Sequence, residues 1–190
     1  MRLDPARTAV VAIDMHRGHL DPSVATLPLA AERCGPLVKR AAALLAGARL
    51  RGVPIVHVVT EYRDAAEIAA NPFWKAIHDD PTKARRGILR HNLAGRPGTE
   101  IVPELYDPGD LVVRGKKRYS SFHGTDLEFV LRSRLVADTL VLAGINTTTT
   151  QAPRGLLVMM MTTSTTAVTT APRALITRPR RQPGPLRVHH

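Results

Sequence analysis

Four short runs of apolar residues between positions 8 and 144 do not alternate with polar residues. Runs of this kind, rich in β-branched side chains, are typical of strands buried on both faces of a parallel sheet. The predicted strands are 8–15, 55–60, 110–114 and 139–144.

Two segments between these strands carry apolar residues at helical spacing. The first is 29–50, where Gly35-Pro36 is expected to delay the start of the helix, and the second is 125–135, where Thr125 is a suitable cap. The alternation of strands and helices predicts an α/β fold of three layers, α/β/α, with a mostly parallel sheet.

A polar, loop-rich segment at 61–100 interrupts this alternation. Compact domains seldom carry loops of this length without a role. We therefore expect this insertion to be either functional or disordered.

The composition is that of a folded protein in a reducing compartment. Hydrophobic residues make up 44% of the 190 residues, which excludes wholesale disorder. The single cysteine excludes a disulfide scaffold and a cysteine-rich zinc site. The N-terminus is a poor secretory signal and no apolar stretch is long enough to cross a membrane, so we expect a cytoplasmic protein without a membrane partner.

The net charge of +11 is unevenly distributed. Asp138 is the last acidic residue, and 139–190 contains arginine but neither acid nor lysine. This part is first rich in threonine and then rich in arginine and proline. The change predicts a domain at 1–150 followed by an aberrant, poorly ordered tail at 151–190.

The basic tail raises the question of nucleic-acid binding. Arginine and proline can bind phosphate without specificity. However, no nucleic-acid motif is present and only 4% of residues are aromatic, so stacking platforms are scarce. We expect no specific nucleic-acid partner.

Polar residues lie at the ends of all four predicted strands, where reactive groups of parallel sheets gather. Asp14 closes the first strand, and Thr60 and Glu61 lie at the end of the second. Lys116 and Lys117 follow the third strand, and the segment from Gly144 to Thr150 follows the fourth. Taken singly, the aspartate could be a cap and the lysine a solvated charge. A helix N-terminus after Gly144 would leave backbone N–H groups free to bind an anion.

Three segments resemble the isochorismatase-like cysteine hydrolases. They read AVVAIDMHRGHLDP, KKRYSSFHGTDLEFVLR and DTLVLAGINT, and the resemblance extends over roughly 5–149. The segments HLDP, NPFW and HNLAGRPGTE look closest to the amide-hydrolysing members, such as N-carbamoylsarcosine amidase and biuret hydrolase. The resemblance implies hydrolysis of a C–N bond in a small amide or carbamoyl substrate through an acyl-enzyme.

The resemblance also implies roles for individual residues. Asp14 would be the general base and Lys116 would favour the thiolate of a catalytic cysteine. The cysteine position of the family's G-[VI]-x-T-x-x-C pattern is occupied here by Thr150. Backbone N–H groups of the same turn would form the oxyanion hole, at Asn146, Thr147 and Thr149.

Thr150 lacks the acidity of a thiol, and the only cysteine, Cys34, lies far from the motif. We therefore expect the chain as written to be inactive. Two hypotheses account for it. A shift of reading frame near codons 147–151 would explain both the missing cysteine and the unusual tail. Alternatively, the chain is a non-catalytic pseudoenzyme that acts as a binding or oligomer-partner subunit.

The insertion supplies the predicted substrate contacts, with Phe73 and Trp74 as an apolar wall and Arg90, His91 and Asn92 as polar partners. Phe73 and Trp74 could instead be core or interface anchors, because the family commonly forms dimers or tetramers.

The histidines do not form a recognisable set of metal ligands. Five of them fall in or near the predicted domain's strands and insertion: His16, His19, His57, His78 and His91. His57 lies inside a strand and is expected to be a core histidine. Some family members hold a metal with an aspartate and histidines, but the spacing here predicts neither a metal nor another cofactor.

Overall fold

A five-stranded parallel sheet forms the centre of the computed structural model, which describes residues 3–26, 29–83 and 85–145 and the backbone of 157–162. The strand order is β3-β2-β1-β4-β5. The strands are β1 (Thr8–Ile13), β2 (Ile55–Thr60), β3 (Leu111–Lys116), β4 (Thr139–Gly144) and β5 (Leu157–Thr162).

Both faces of the sheet are covered, which explains why its central strands are apolar without alternation. Val10 and Ala12 face helix α2 (Ala31–Arg49), whereas Val11 and Ile13 belong to the core on the opposite face. The opposite face is covered by Leu127 and Leu131 and their neighbours. The three-layer α/β/α fold predicted from the sequence is thus confirmed.

Helix α2 begins at Ala31 and runs through Pro36, so the expected delay at Gly35-Pro36 is wrong. The proline lies in the second turn, where its missing N–H removes one hydrogen bond from the start of a long helix. Burial of the Leu37, Ala41 and Leu45 face against the sheet compensates for that loss.

The helix predicted at 125–135 is shorter and less regular than expected. It consists of α5 (Leu127–Phe129) followed by a π-helical segment (Val130–Arg134). The hydroxyl of Thr125 accepts a hydrogen bond from Leu127 N at 3.3 Å, as a capping residue does.

Val136 ends this helical segment in a left-handed conformation, with φ of 49°. The N–H of Ala137 donates to the carbonyl of Leu131 at 2.9 Å, one residue further back than in a Schellman motif, because the preceding turn is π-helical. Glycine is the usual residue at this position, because a β-branched side chain is strained at positive φ.

We expect Val136→Gly to raise the free energy of unfolding by about 1 kcal/mol, since the strain is relieved and the lost side chain is already exposed. Urea denaturation measures the change. Val136→Ala serves as the control, because it removes the branch but keeps Cβ. If Val136→Gly were less stable than Val136→Ala, the strain argument would be wrong.

The insertion at 61–100 is folded rather than disordered in its described residues. It contains α3 (Ala65–Ala69), α4 (Pro72–Asp79) and 3₁₀ turns at Arg86–Arg90 and Pro97–Thr99. A small hydrophobic cluster of its own holds it together, formed by Tyr62, Ile68, Ile88, Trp74, Ile77, Leu89 and Leu93. Long segments of this kind are ordered by such internal packing. A single turn, α1 (Arg17–Leu20), lies between β1 and α2.

Two strands differ from the prediction. Strand β3 ends at Lys116 instead of residue 114, so the lysine belongs to the strand. Strand β5 lies within the predicted tail and pairs with β4 in parallel along its whole length, from Thr139↔Leu157 to Gly144↔Thr162. This fifth strand was not predicted from the sequence. Its apolar run, LVMMMT, lies next to threonine-rich segments and does not look like a strand of the domain.

Within the described residues, no helix is long and apolar enough to cross a membrane.

Candidate functional site

Three polar residues meet at the carboxyl edge of neighbouring strands. Asp14 follows β1, Thr60 ends β2 and Lys116 ends β3. Because the three strands are parallel and adjacent, their carboxyl ends lie side by side. A register shift between Val58 and Thr60 brings Lys116 opposite Thr60.

The three side chains form one buried hydrogen-bonded group. Lys116 Nζ lies 2.7 Å from Asp14 Oδ2, and Thr60 Oγ1 donates to Asp14 Oδ1 at 2.7 Å. Lys116 Nζ also donates to Thr60 Oγ1 at 3.1 Å. All three residues are buried. Thr60 therefore fixes both members of the ion pair.

The backbone of Asp14 is held in a left-handed conformation with φ of 57°. Aspartate tolerates this conformation better than most residues. The amide of Asp14 donates to the carbonyl of Val58 at 2.9 Å, which ties the residue to β2. This departure from the strand conformation ends β1 directly before Asp14, whose carboxylate contacts Lys116 and Thr60.

The surroundings of Asp14 favour its ionised form. Burial alone would raise the pKa of Asp14, but the ring of His16 and the ammonium of Lys116 outweigh it, so the pKa lies well below its usual range. Lys116 makes the closer contact, since His16 Nε2 stands 3.7 Å from the carboxylate, beyond hydrogen-bond distance. Asp14 is thus a carboxylate at neutral pH.

We expect Thr60→Val to lower the free energy of unfolding by about 1–3 kcal/mol, because it leaves a buried carboxylate oxygen without its donor. The same change raises the pKa of Asp14. Chemical denaturation and carboxyl NMR titration measure the two effects. Thr60→Ser keeps the hydroxyl and should behave nearly as the unaltered chain; equal losses in both variants would contradict the role of the hydroxyl.

Three histidines pack beside Asp14. The rings of His16 and His19 stack at 4.8 Å, and His19 lies 4.9 Å from His91. Thr26 Oγ1 lies 2.8 Å from His91 Nδ1. Burial, and then the neighbouring His19 and His16, lower the pKa of His91 to about 2. His91 is therefore neutral at physiological pH.

Asn92 lies behind these rings rather than in the open cavity. Its Nδ2 is 3.0 Å from His16 Nε2, and its backbone is left-handed, with φ of 47°. A Cβ atom added at Gly18 would approach Asn92 Oδ1 to 1.9 Å, so glycine is required there. Asn92 therefore holds α1 and the insertion together.

Across the described residues, no group of three or more histidine, cysteine or acidic side chains has the arrangement of a metal site. His57 is buried and its Nε2 lies 2.9 Å from Asp110 Oδ2, next to Arg49. This confirms the expectation of a core histidine.

A cavity of about 200 Å³ opens above the Asp14–Lys116 pair. Its apolar and aromatic walls are formed by Ile13, Leu29, Tyr62, Trp74, Ile88 and Ile145. Its polar lining consists of Asp14, His19, Thr60, Asn71, His91 and Lys116. Lys117, Tyr119, Arg85 and Arg118 complete it. An apolar pocket with a few convergent polar groups is typical of a small-molecule site.

Only some of the residues predicted to contact the substrate line this cavity. Trp74 and His91 line the cavity, whereas Asn92 is buried against His16. Phe73 is exposed and packs edge-on against Trp74 at 4.8 Å, on the outside. Arg90 is exposed and borders a separate surface depression.

Several lining residues were not singled out as site residues from the sequence. Thr60 ends a strand and Tyr119 belongs to the K-x-x-Y stretch, so the sequence positions of both indicated that they could line the site. Asn71 caps α4, accepting a hydrogen bond from Phe73 N at 3.1 Å. Arg85 and Ile88 come from the insertion, whose packing the sequence did not reveal.

The predicted nucleophile and oxyanion positions, Asn146, Thr147, Thr149 and Thr150, lie outside the described residues. Ile145, directly before them in sequence, lies in the cavity wall and donates to the carbonyl of Ile13 at 3.1 Å. Cys34 is buried in α2 and does not line the cavity. Burial raises the pKa of its thiol, which makes it a poor nucleophile.

Sequence comparison relates this chain to known proteins. A family model described as the Isochorismatase domain matches residues 8–150. The chain is 31% identical over 154 residues to ureidoacrylate amidohydrolase RutB of Methylobacterium radiotolerans, covering 76% of this chain and 58% of that protein. It is 32% identical over 160 residues to RutB of Pseudomonas syringae pv. syringae, and the match covers 77% of this chain and 62% of that protein. The chain thus spans less than two thirds of these curated relatives.

Solved structures share the fold. A cysteine hydrolase of Pseudomonas syringae pv. phaseolicola superposes with a TM-score of 0.62 at 25% identity, over 76% of this chain and 62% of that one. N-carbamoylsarcosine amidase of Thermoplasma acidophilum gives a TM-score of 0.54 at 29% identity, over 73% and 67%.

Proposed function

Because this chain belongs to the isochorismatase family, we propose that its cavity binds a small amide or carbamoyl compound and derives from a cysteine-dependent C–N hydrolase site. Two relatives are named for their substrates, ureidoacrylate amidohydrolase and N-carbamoylsarcosine amidase. The compounds in both names carry a carbamoyl group. The proposal carries that chemistry over to this chain.

The buried Asp14–Lys116 pair is the observation that supports the proposal most. Its Nζ–Oδ2 distance is 2.7 Å, and it lies at the floor of a cavity with apolar walls. A buried ion pair seldom stabilises a fold more than apolar side chains would. Its position at the strand ends, beneath an open cavity, favours a chemical role over a structural one.

In the proposed reaction, a cysteine thiol after β4 transfers its proton to Asp14, and the thiolate sulfur attacks the carbonyl carbon. Lys116 stabilises the negative charge during this step. Collapse of the tetrahedral intermediate breaks the C–N bond, and the amine leaves with the proton from Asp14. Water then attacks the thioester, returns the thiol and releases the acid. Backbone N–H groups at Asn146, Thr147 and Thr149 are the proposed oxyanion donors.

This chain is expected to stop at the first step of the proposed reaction, because the family pattern assigns the nucleophile position to Thr150. An alkanol is far less acidic than a thiol, so transfer of its proton to Asp14 is far less favourable than transfer from a thiol. We propose that this chain binds the ligand but does not hydrolyse it.

Two hypotheses explain why a cysteine is missing from the proposed nucleophile position. A one-base shift near codons 147–151 would make the tail a product of the wrong frame, and the natural protein a working hydrolase. If the frame is as written, the chain is a pseudoenzyme with a binding or oligomer-partner role. Resequencing the coding DNA across codons 140–190 distinguishes them, since only the first hypothesis restores a cysteine after Asn146.

Binding tests the proposed function without requiring turnover. Isothermal titration of the full chain with simple carbamoyl compounds should show saturable binding, whereas an ammonia-release assay should show no turnover. Lys116→Met should weaken binding under conditions in which circular dichroism shows the variant to be folded, and the matched control Lys39→Met, on the exposed face of α2, should not. Absence of binding by every carbamoyl compound would overturn the proposal.

A further inference from the structure

Asn71 lines the cavity from the side of the insertion and takes no part in the Asp14–Lys116 pair. It is the N-cap of α4, and Trp74, three positions further along the chain, lines the same cavity. Residues three positions apart lie on one side of a helix. The start of α4 therefore presents both side chains to the cavity, whereas Phe73, between them, is exposed on the outside.

The helix cap fixes the orientation of the Asn71 amide. Its Oδ1 accepts a hydrogen bond from Phe73 N at 3.1 Å. An NH2 group cannot accept a hydrogen bond from an N–H group, so the oxygen faces the helix and Nδ2 lies at the other end of the amide. The backbone is held as well, since Asn71 N donates to the carbonyl of Ile68 at 3.1 Å and its own carbonyl accepts from Lys75 N at 3.0 Å. Nδ2 is therefore a donor in a fixed position.

This donor is available to a ligand. In the part of the chain that the structure describes, no residue accepts a hydrogen bond from Nδ2 of Asn71. Asp14, Lys116 and Thr60, at the floor of the cavity, bond one another instead. Asn71 is half-buried in a cavity with apolar walls. A ligand without an acceptor at this place would take the donor out of water and leave it unpaired.

The polar contacts that the sequence suggested do not supply an equivalent group. Arg90 borders a separate depression, and Asn92 is buried with its Nδ2 against His16. His91 lines the cavity, but Thr26 Oγ1 lies 2.8 Å from its Nδ1. None of these three residues presents an unpaired amide donor to the cavity.

We propose that Asn71 is a specificity-determining residue, which donates a hydrogen bond from Nδ2 to a neutral oxygen acceptor of the ligand. The carbamoyl group lies on the floor formed by Asp14 and Lys116, and the acceptor belongs to the part of the ligand that faces α4. The inference rests on the proposed function and deepens it, because it names a residue that selects among carbamoyl compounds. A site built around a hydrogen-bond donor discriminates against a ligand of the same shape that lacks the acceptor.

Acetylurea and ethylurea are matched probes for this hydrogen bond. Both are neutral and both carry a carbamoyl group, but acetylurea has a carbonyl where ethylurea has a methylene. Titration calorimetry of the full chain should show about tenfold tighter binding of acetylurea, which gains the hydrogen bond and avoids an unpaired donor. Added salt should leave this preference unchanged, because neither probe is charged.

Two substitutions remove the donor and keep the helix cap, since aspartate and serine cap helices about as well as asparagine does. Asn71→Asp places a carboxylate oxygen where Nδ2 was, and Asn71→Ser leaves a shorter hydroxyl without adding charge. Both variants should bind acetylurea no more tightly than ethylurea. Their midpoints of thermal unfolding should match that of the unaltered chain, because the cap is kept.

Asp64→Ser is the matched control for these variants. Asp64 is the N-cap of α3 in the same insertion, where its Oδ1 accepts from Glu67 N at 2.9 Å, and it does not line the cavity. The control should keep the full preference for acetylurea. A change confined to the Asn71 variants thus reports the lost donor and not a general effect of altering a helix cap.

The outcomes separate this inference from the proposed function. Equal binding of the two ureas by the unaltered chain would overturn the role of Asn71 and still support a carbamoyl site. Persistence of the acetylurea preference in both Asn71 variants would also overturn it, because the preference would then come from another residue. If neither urea binds, the proposed function fails and this inference fails with it.

Discussion

Replacing Lys116 with methionine is expected to lower the free energy of unfolding by about 3–5 kcal/mol, because the carboxylate of Asp14 is then buried without its ammonium. The pair is buried on both sides, with a Nζ–Oδ2 distance of 2.7 Å. Urea denaturation measures the loss. Lys117→Met is the control, since it breaks a partly exposed pair with Glu67 and should cost at most about 1 kcal/mol.

A double-variant cycle shows whether the loss comes from the pair. Asp14→Asn/Lys116→Met leaves neither charge buried, so it should be more stable than the sum of the single losses predicts, by about 1–3 kcal/mol. Strict additivity of the two substitutions would mean that the ion pair is not the source of the effect.

The stabilisation by Asp14 has a defined pH dependence. Its pKa is lower in the folded chain than the ordinary value of 3.8, so the folded state binds fewer protons than the unfolded state. The contribution is therefore fully present above that ordinary value and is lost as pH falls through the folded pKa. Acid unfolding of Asp14→Asn should lack this part of the pH dependence.

Restoring a cysteine is expected to produce the second large effect. A chain whose corrected frame carries a cysteine after Asn146 should hydrolyse N-carbamoylglycine with kcat/KM at least about 10⁴-fold above that of the present chain. The reason is that in the proposed mechanism a thiolate, stabilised by Lys116, supplies the nucleophile that Thr150 cannot. Ammonia release measures the reaction.

Two controls accompany this measurement. Substitution of the restored cysteine by serine should return the rate to that of the present chain. Asp14→Asn in the restored chain should also abolish turnover, because the thiol then lacks its base. A restored chain that binds the carbamoyl ligand but shows no turnover would refute the cysteine mechanism while leaving the binding site intact.

The strands were predictable because burial on both faces leaves an unbroken apolar run, as in β1, β2 and β4. Strand β5 was not, because its apolar run follows a threonine-rich segment and gains its identity by pairing with β4. A helix at 125–135 was predicted, but the π-helical geometry of Val130–Arg134 was not, because it depends on packing between this segment and the sheet.

The floor of the site was predictable and its mouth was not. Asp14 and Lys116 lie at the carboxyl ends of parallel strands, so the sequence places both at the same end of the sheet. Trp74 and Arg85 enter the cavity because the insertion folds around Tyr62, Ile68 and Ile88, and such packing among distant residues leaves no short sequence pattern. For the same reason Phe73, next to Trp74, points outward.

The ion pair joins residues 102 positions apart, through three parallel strands that must pair first. Parallel pairing over long sequence separations is slow, because loop closure precedes the contacts that stabilise it. The carboxylate and the ammonium therefore meet only once the sheet from β1 to β3 is assembled. We therefore expect the ion pair to form late in folding and to report kinetically that β1, β2 and β3 have paired.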